Sequence, residues 1–404
     1  MSMTLKPEVV SIIHQLKRIL EARFPDFQAD LAWLVAHDRG STYKVGVDAA
    51  GEWMLAKLRD LGCVTAIYPS DVCGSTIAGT LKGQGRGRFL LIAHLDTVWP
   101  EGTAAEWPLR IEGNHASGPG VVDNSSGSLT GYYILKALRE VGHEDFEEVT
   151  LVCNGDEETG SLFSNKIIEQ LSRGRDAAFC LEAPDNPDEI ISERAGSMVY
   201  DLRVIGKKAH SGTSPEAGAN AILELAHKLV ACHQITGKDE VLAINAVTTE
   251  GGPQSGIIPD YARAELDVRM KTLAEIEWLD ARFREIAERV WIPGTSATVE
   301  GKVYHLPMER APGTSHLVEL AQAIGGELGL ELKDKFCGGV SDACFATVVG
   351  TPTLCGLAPF GQLYHTRDEY LDLSTVVPRA TLVAGLIVAC ANAFSNGGRL
   401  KIED

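Results

Sequence analysis

Apolar positions outline the fold. Val9, Ile12, Ile13, Leu16, Ile19 and Leu20 recur at helical spacing over 8–23, directly after Pro7, and predict a helix there. A second helix is expected over 48–61, closed by Gly62. The pattern then alternates. Short apolar runs at 75–81, 89–93, 149–154 and 177–181 predict strands, and helical spacing returns at 128–141 and 166–172. Strands alternating with helices predict a largely parallel sheet covered on both faces.

After Arg194 the rhythm changes. Strands are expected at 197–205, 241–249, 262–270 and 296–301, with helices at 217–232 and 273–290. That order, β-α-β-β-α-β, is the split arrangement of a small α+β sandwich of ferredoxin-like type. From about residue 310 the first pattern resumes, with helices at 315–329 and 377–395 around an apolar run at 352–357. The expected fold class is therefore α/β. A discontinuous catalytic domain over 1–195 and 310–404, with a mixed, mainly parallel sheet, carries an inserted lid or dimerisation domain over 196–309.

Composition narrows the function. The 404 residues are 45% apolar and 23% charged, the balance of a globular protein. No run reaches the roughly 18 uninterrupted apolar residues of a membrane span. Met1 to Val10 lacks a basic stretch followed by an apolar one, so no secretory signal is expected. Nine cysteines form no CxxC pair, which predicts buried free thiols in a reducing compartment and a cytoplasmic location. A net charge of −18 speaks against nucleic acid and anionic membranes as partners.

The candidate chemistry is an ordered series of metal-ligand residue types, several at the ends of predicted strands, where open α/β sheets place their sites. His94 and Asp96 follow Leu90–Ala93. A histidine can bind a metal through one nitrogen while a carboxylate orients the other, although a solvated turn has the same spacing. Asp123 follows Gly118, Pro119 and Gly120 ahead of a helix, as a cap or as a carboxylate aimed into a cleft. Asp156, Glu157 and Glu158 sit between Gly155 and Gly160 after a buried strand. They form a charged turn or an adjacent pair, one acid binding metal and the other handling protons. Glu182 ends a further apolar run, and His365 follows the run at 352–357. Histidine and carboxylate donors in this order fit zinc, and one shared carboxylate would fit two ions.

The joint pattern resembles the di-zinc hydrolase family of aminoacylase, acetylornithine deacetylase, succinyl-diaminopimelate desuccinylase and glutamate carboxypeptidase. The resemblance extends over nearly the whole chain, including Gly338–Ala343 and His365–Glu369, and the glutamate carboxypeptidase branch is nearest. It implies two Zn2+ per chain, with Co2+ or Mn2+ as possible substitutes. Asp123 would bridge them through a segment with a cis Asp123–Asn124 peptide, His94 and Glu182 would complete one site, and Glu158 and His365 the other. It further implies Glu157 as general base, Asp96 as the group orienting His94, His210 as oxyanion stabiliser and Arg269 as contact for a substrate carboxylate. A surface role for His210 and Arg269 is the alternative reading. The remaining histidines, 14, 37, 115, 143, 227, 233, 305 and 316, have no comparable setting and are read as structural.

Three features depart from the family. Gly256 stands before Ile257-Ile258-Pro259 where many relatives carry Asn, Ala183 separates Glu182 from Pro184, and a lysine found downstream in the glutamate-specific branch has no match where Glu189-Ile190 falls. All three touch specificity rather than the metal ligands, so glutamate is not taken as the substrate. The expected activity is hydrolysis of an amide or peptide bond beside a carboxylate, by a carboxypeptidase or N-acyl-amino-acid amidohydrolase acting on a small substrate, as a homodimer through the inserted domain. A dipeptidase of other specificity, or a non-catalytic metal-binding or scaffolding protein that keeps the fold, is the alternative.

Overall fold

The computed structural model describes residues 3–237 and 243–395. The chain divides into two compact units. One comprises Met1–Glu193, Glu309–Cys337 and Ser341–Asp404; the other comprises Arg194–Met308 with Gly338–Val340. The short segment 338–340, expected with the first unit, therefore groups with the second.

The first unit is built on a six-stranded sheet. Its spatial order is Val64–Tyr68, Gly74–Lys82, Glu148–Gly155, Arg88–His94, Ala177–Cys180 and Thr353–Leu354. Arg88–His94 runs parallel to the strands on both sides of it, and Gly74–Lys82 and Val64–Tyr68 are added antiparallel. Phe89, Leu90, Leu91 and Ile92 are all fully buried, which is why this strand shows a continuous apolar run instead of alternation. The helices Pro7–Val35, Gly127–Val141, Thr314–Leu328 and Val376–Ser395 pack into the same core.

Several elements differ from the expectation. The first helix runs on to Val35, past Pro25, because Phe27, Leu31 and Leu34 continue its buried stripe while Pro25 lies exposed. The run at 352–357 pairs only over Thr353–Leu354. The stretch Leu373–Phe394 is apolar enough on average to cross a membrane, but 78% of its most apolar window is buried within the protein, as for a core helix.

A small antiparallel sheet was not anticipated. Its order is Gly361–Gln362, Tyr370–Asp372, His115–Ser117 and Arg110–Glu112. Tyr370 pairs with Ser117, so the loop 363–369 is brought alongside the glycine-rich turn that begins at Gly118.

The second unit is a four-stranded antiparallel sheet in the order Ala243–Gly251, Tyr261–Met270, Gly196–Ile205 and Ser296–His305. The strand expected from 241 has its first two positions outside the described residues. Along Tyr261–Met270, Ala262, Ala264, Leu266, Val268 and Met270 are buried and the intervening residues are not, a clean period of two. The helices Ala221–His233 and Ala274–Glu288 contribute Leu225, Leu279 and Phe283 to that core.

Candidate metal centre

Three neighbouring parallel strands deliver the first ligand candidates. Arg88–His94 ends in His94, Glu148–Gly155 leads into Asp156, Glu157 and Glu158, and Ala177–Cys180 leads into Leu181 and Glu182. Asp123 enters from the irregular turn Val121–Ser126, which departs from helical geometry at Asp123 and Asn124. The Asp123–Asn124 peptide is cis, as the family resemblance implies.

These side chains converge. His94 Nε2 lies 3.1 Å from Asp123 Oδ1 and 3.4 Å from Glu182 Oε1. His365 Nε2 lies 3.2 Å from the other oxygen, Asp123 Oδ2, and 3.1 Å from Glu158 Oε2. One carboxylate thus faces two imidazoles, and each imidazole has its own glutamate. Both histidines are positioned by strained or buried backbone: His94 sits on a strand end, while His365 has a φ of 64°, uncommon for a residue with a side chain.

The electrostatics follow from this crowding. Burial alone would lower the His94 pKa, but Glu182, Asp123, Asp96 and Glu157 outweigh it and raise it well above the usual value. Hydrogen bonds that His365 donates to Asp123 and Glu158 push its pKa up to about 10. Burial works against the Asp123 charge, yet His365 and His94 hold its carboxyl far below the usual range. Burial raises Glu158, and Asp123 adds to that. Burial also drives Glu157 well upward, opposed by His94 and reinforced by Asp342, Glu182 and Glu158. The excess of carboxylate over cation is a field that attracts positive charge. Glu158 Oε1 is buried with no hydrogen-bond partner among the described residues, so it has a vacant acceptor position. Nitrogen and oxygen donors of these types fit zinc.

The surrounding groups differ in part from the expectation. Asp96 does face His94, with Oδ1 3.3 Å from Nδ1, although the ring hydrogen bond goes to the Asp96 carbonyl at 3.1 Å. The Asp96 carboxylate also accepts the N–H groups of Glu157 and Glu158, each at 3.2 Å, and the Ser41 hydroxyl at 2.7 Å. It therefore holds the acidic turn as well as the histidine. Asn124 donates to Glu182 Oε1 at 2.8 Å and to the Leu181 carbonyl at 2.9 Å. Buried Asp342 accepts from Ser161 at 2.5 Å, and burial pushes its carboxyl up to about 7. None of these second contacts has a periodic signal in the sequence.

His210 and Arg269 belong to the second unit. His210 is exposed, and its Nδ1 accepts N–H bonds from Gly212 and Thr213, both at 3.1 Å. That leaves the proton on Nε2, which is a donor. Arg269 gives Nε and Nη2 to Asp267, at 2.8 and 3.1 Å. Half of its fork is thus already engaged.

Residues 90–389 match the family described as Peptidase family M20/M25/M40, and the chain belongs to it. It is 33% identical over 368 residues to carboxypeptidase G2 of Pseudomonas sp. (strain RS-16), covering 88% of this chain and 87% of that one. With the succinyl-diaminopimelate desuccinylase of Methylobacterium sp. (strain 4-46) it shares 29% identity over 307 residues, 70% of this chain and 75% of the relative. Among solved structures, aminopeptidase PepT from Bacillus cereus ATCC 10987 shares the fold with a TM-score of 0.78 at 22% identity, covering 91% of this chain and 98% of that chain. The protein is a metal-dependent hydrolase of amide or peptide bonds.

Proposed function

We propose that this enzyme cleaves an amide or peptide bond next to a substrate carboxylate, as a carboxypeptidase or N-acyl-amino-acid amidohydrolase, using two zinc ions per chain. The observation that carries the reading is Asp123, whose two oxygens face two different histidines. His94, Asp123 and Glu182 would hold one ion, and Glu158, His365 and the second Asp123 oxygen the other. Co2+ or Mn2+ could use the same donors. Held by these residues, the ions would supply Lewis acidity for the scissile carbonyl and the attacking water.

The protein's own groups complete the reaction. Glu157 takes the water's proton on a carboxylate oxygen and later delivers it to the leaving amine nitrogen. Asp96 faces Nδ1 of His94, which keeps Nε2 available as a ligand. His210, protonated on Nε2, donates to the developing oxyanion. Arg269 contacts the substrate carboxylate. The same reading makes the protein a homodimer through the inserted unit, and nine buried cysteines outside any disulfide support a cytoplasmic location.

The test is hydrolysis by the zinc-loaded protein of a panel of N-acyl and N-aroyl amino acids, their C-terminal carboxamides and unblocked dipeptides. Cleavage of the free acids, with the carboxamides much slower, is expected. Equal rates on acids and carboxamides would remove the carboxylate from the reading. A protein with two bound zinc ions and no turnover on any member would remove this substrate class from the reading.

A further inference from the structure

Glu369 is not among the groups that contact the cluster of histidines directly, yet it is fully buried behind it. Its Oε1 accepts the backbone N–H groups of Val122 and Asp123, at 3.0 and 3.3 Å. Its Oε2 accepts the Gly120 N–H at 3.1 Å and the Trp99 indole N–H at 3.2 Å. Four donors occupy the two oxygens, as many as a carboxylate's lone pairs accommodate. Three of the four come from the turn that carries Asp123. Gly120 has a φ of 64°, and a Cβ there would lie 2.4 Å from Thr97, so this turn can close around the carboxylate only with glycine at that point.

Glu369 lies four residues after His365, in the loop between Gly361–Gln362 and Tyr370–Asp372. The same short segment therefore carries a ligand candidate and grips the backbone of the shared one. Arg39 supplies the nearby positive charge. It is buried, donates to the Leu95 carbonyl and the Ser125 hydroxyl at 2.5 and 2.6 Å, and interacts electrostatically with both Asp96 and Glu369.

We propose that Glu369 is a positioning residue for the metal centre: its carboxylate clamps the Gly120–Asp123 turn against the His365 loop and so sets the separation of Asp123 from His365. The inference rests on the two-ion reading above. Removing a group that orients a ligand typically costs about 10–100-fold in metal affinity. Glu369→Gln keeps the shape but turns an amide NH2 towards N–H donors, so it breaks the clamp without a cavity.

The experiment is competition for zinc between the full-length protein and a chelator, wild type beside Glu369→Gln, with the visible spectrum of the Co2+-loaded forms as a second readout. Glu369→Gln is expected to release both ions at about 10–100-fold weaker chelation and to shift the Co2+ bands, with Glu369→Asp intermediate. Wild-type zinc affinity and an unchanged Co2+ spectrum in Glu369→Gln would overturn the proposal. If that variant does not fold, Glu369→Asp and Trp99→Phe decide: both retaining wild-type zinc affinity overturns it, and a weakening in either supports it. Failure of the wild type itself to bind two ions would count against the two-ion reading and is visible separately in the same titration.

Discussion

Adjacent glutamates to which the proposed mechanism gives different tasks offer the sharpest test at the scale of single residues. Glu158 faces His365, while Glu157 is surrounded by His94, Asp342 and Glu182. Glu158→Gln removes a charged ligand, so metal content should fall together with turnover. Glu157→Gln keeps the shape and removes the proton acceptor, so turnover should fall about 10²–10⁴-fold while the metal content stays at that of the wild type. Elemental analysis beside the rate distinguishes them, and the reverse pattern would exchange their roles. Arg269 makes a second test. Arg269→Ala should slow cleavage of acids far more than of carboxamides, and Lys should substitute poorly because it lacks the planar fork. The Asp267 pair makes the comparison necessary, because equal losses on both substrates would assign Arg269 to holding Asp267 alone.

Among the elements, the second unit holds a buried ion pair that periodicity does not reveal. Lys228 and Glu224 lie one turn apart on Ala221–His233, both buried, with Nζ 3.0 Å from Oε1. Lys228 also donates to the carbonyls of Ile286, Ala287 and Arg289, at 2.9, 2.9 and 2.7 Å, closing the end of Ala274–Glu288. Burial opposes the Glu224 charge, but Lys228 and the N–H groups of Ile292 and Trp291 overcome it and lower its pKa. Lys228→Met leaves that carboxylate unpaired, and chemical denaturation should show a loss of about 3–5 kcal/mol. Because the folded pKa is depressed, the pair's contribution is complete above the unfolded value of about 4.3 and disappears as pH falls through the native value. The stability difference between wild type and variant should accordingly shrink on acidification. A difference that stays constant between neutral and strongly acidic pH would contradict this account.

For the molecule as a whole, the cysteines give a simple check. All nine are buried and none is in a disulfide. Burial pushes Cys153, Cys232 and Cys390 up to about 12 and Cys63 up to about 11, so these four carry almost no thiolate at neutral pH. The native protein should react with a chromogenic disulfide reagent at few or none of its thiols, and at all nine once unfolded in denaturant. A reductant should leave the unfolding midpoint unchanged. Rapid native reaction of several thiols would mean that the core is more open than described.

Much of this was legible in the chain, because burial leaves a local trace. Continuous apolar runs marked the central strands, and the alternation over 197–205 marked a strand with one covered face. The ligand candidates could be found because three of them immediately follow such runs, so strand ends and chemistry coincide in the sequence. The helix beyond Pro25 was missed because a proline on the solvent side weakens the local signal without opposing the packing of Phe27, Leu31 and Leu34. The strands of two and three residues at 361–362, 370–372, 115–117 and 110–112 were missed because so short a run has no readable period.

What the amino-acid order determined alone is the set of donor types, their sequence and their attachment to buried strands. Pairing across the sheets decided which atoms meet. Glu369 and Asp123 are 246 residues apart, and only the register of Tyr370 against Ser117 brings one to the backbone of the other. In the same way, no spacing rule states that Asp123 faces two histidines, that Asp96 holds the Glu157–Glu158 turn, or that Asp267 takes part of the Arg269 fork. Hydrophobic patterning is written residue by residue because each side chain is buried or exposed by its own face of a helix or strand. A polar site is set by distances of about 3 Å between side chains from distant segments, and those distances exist only after the sheets have paired.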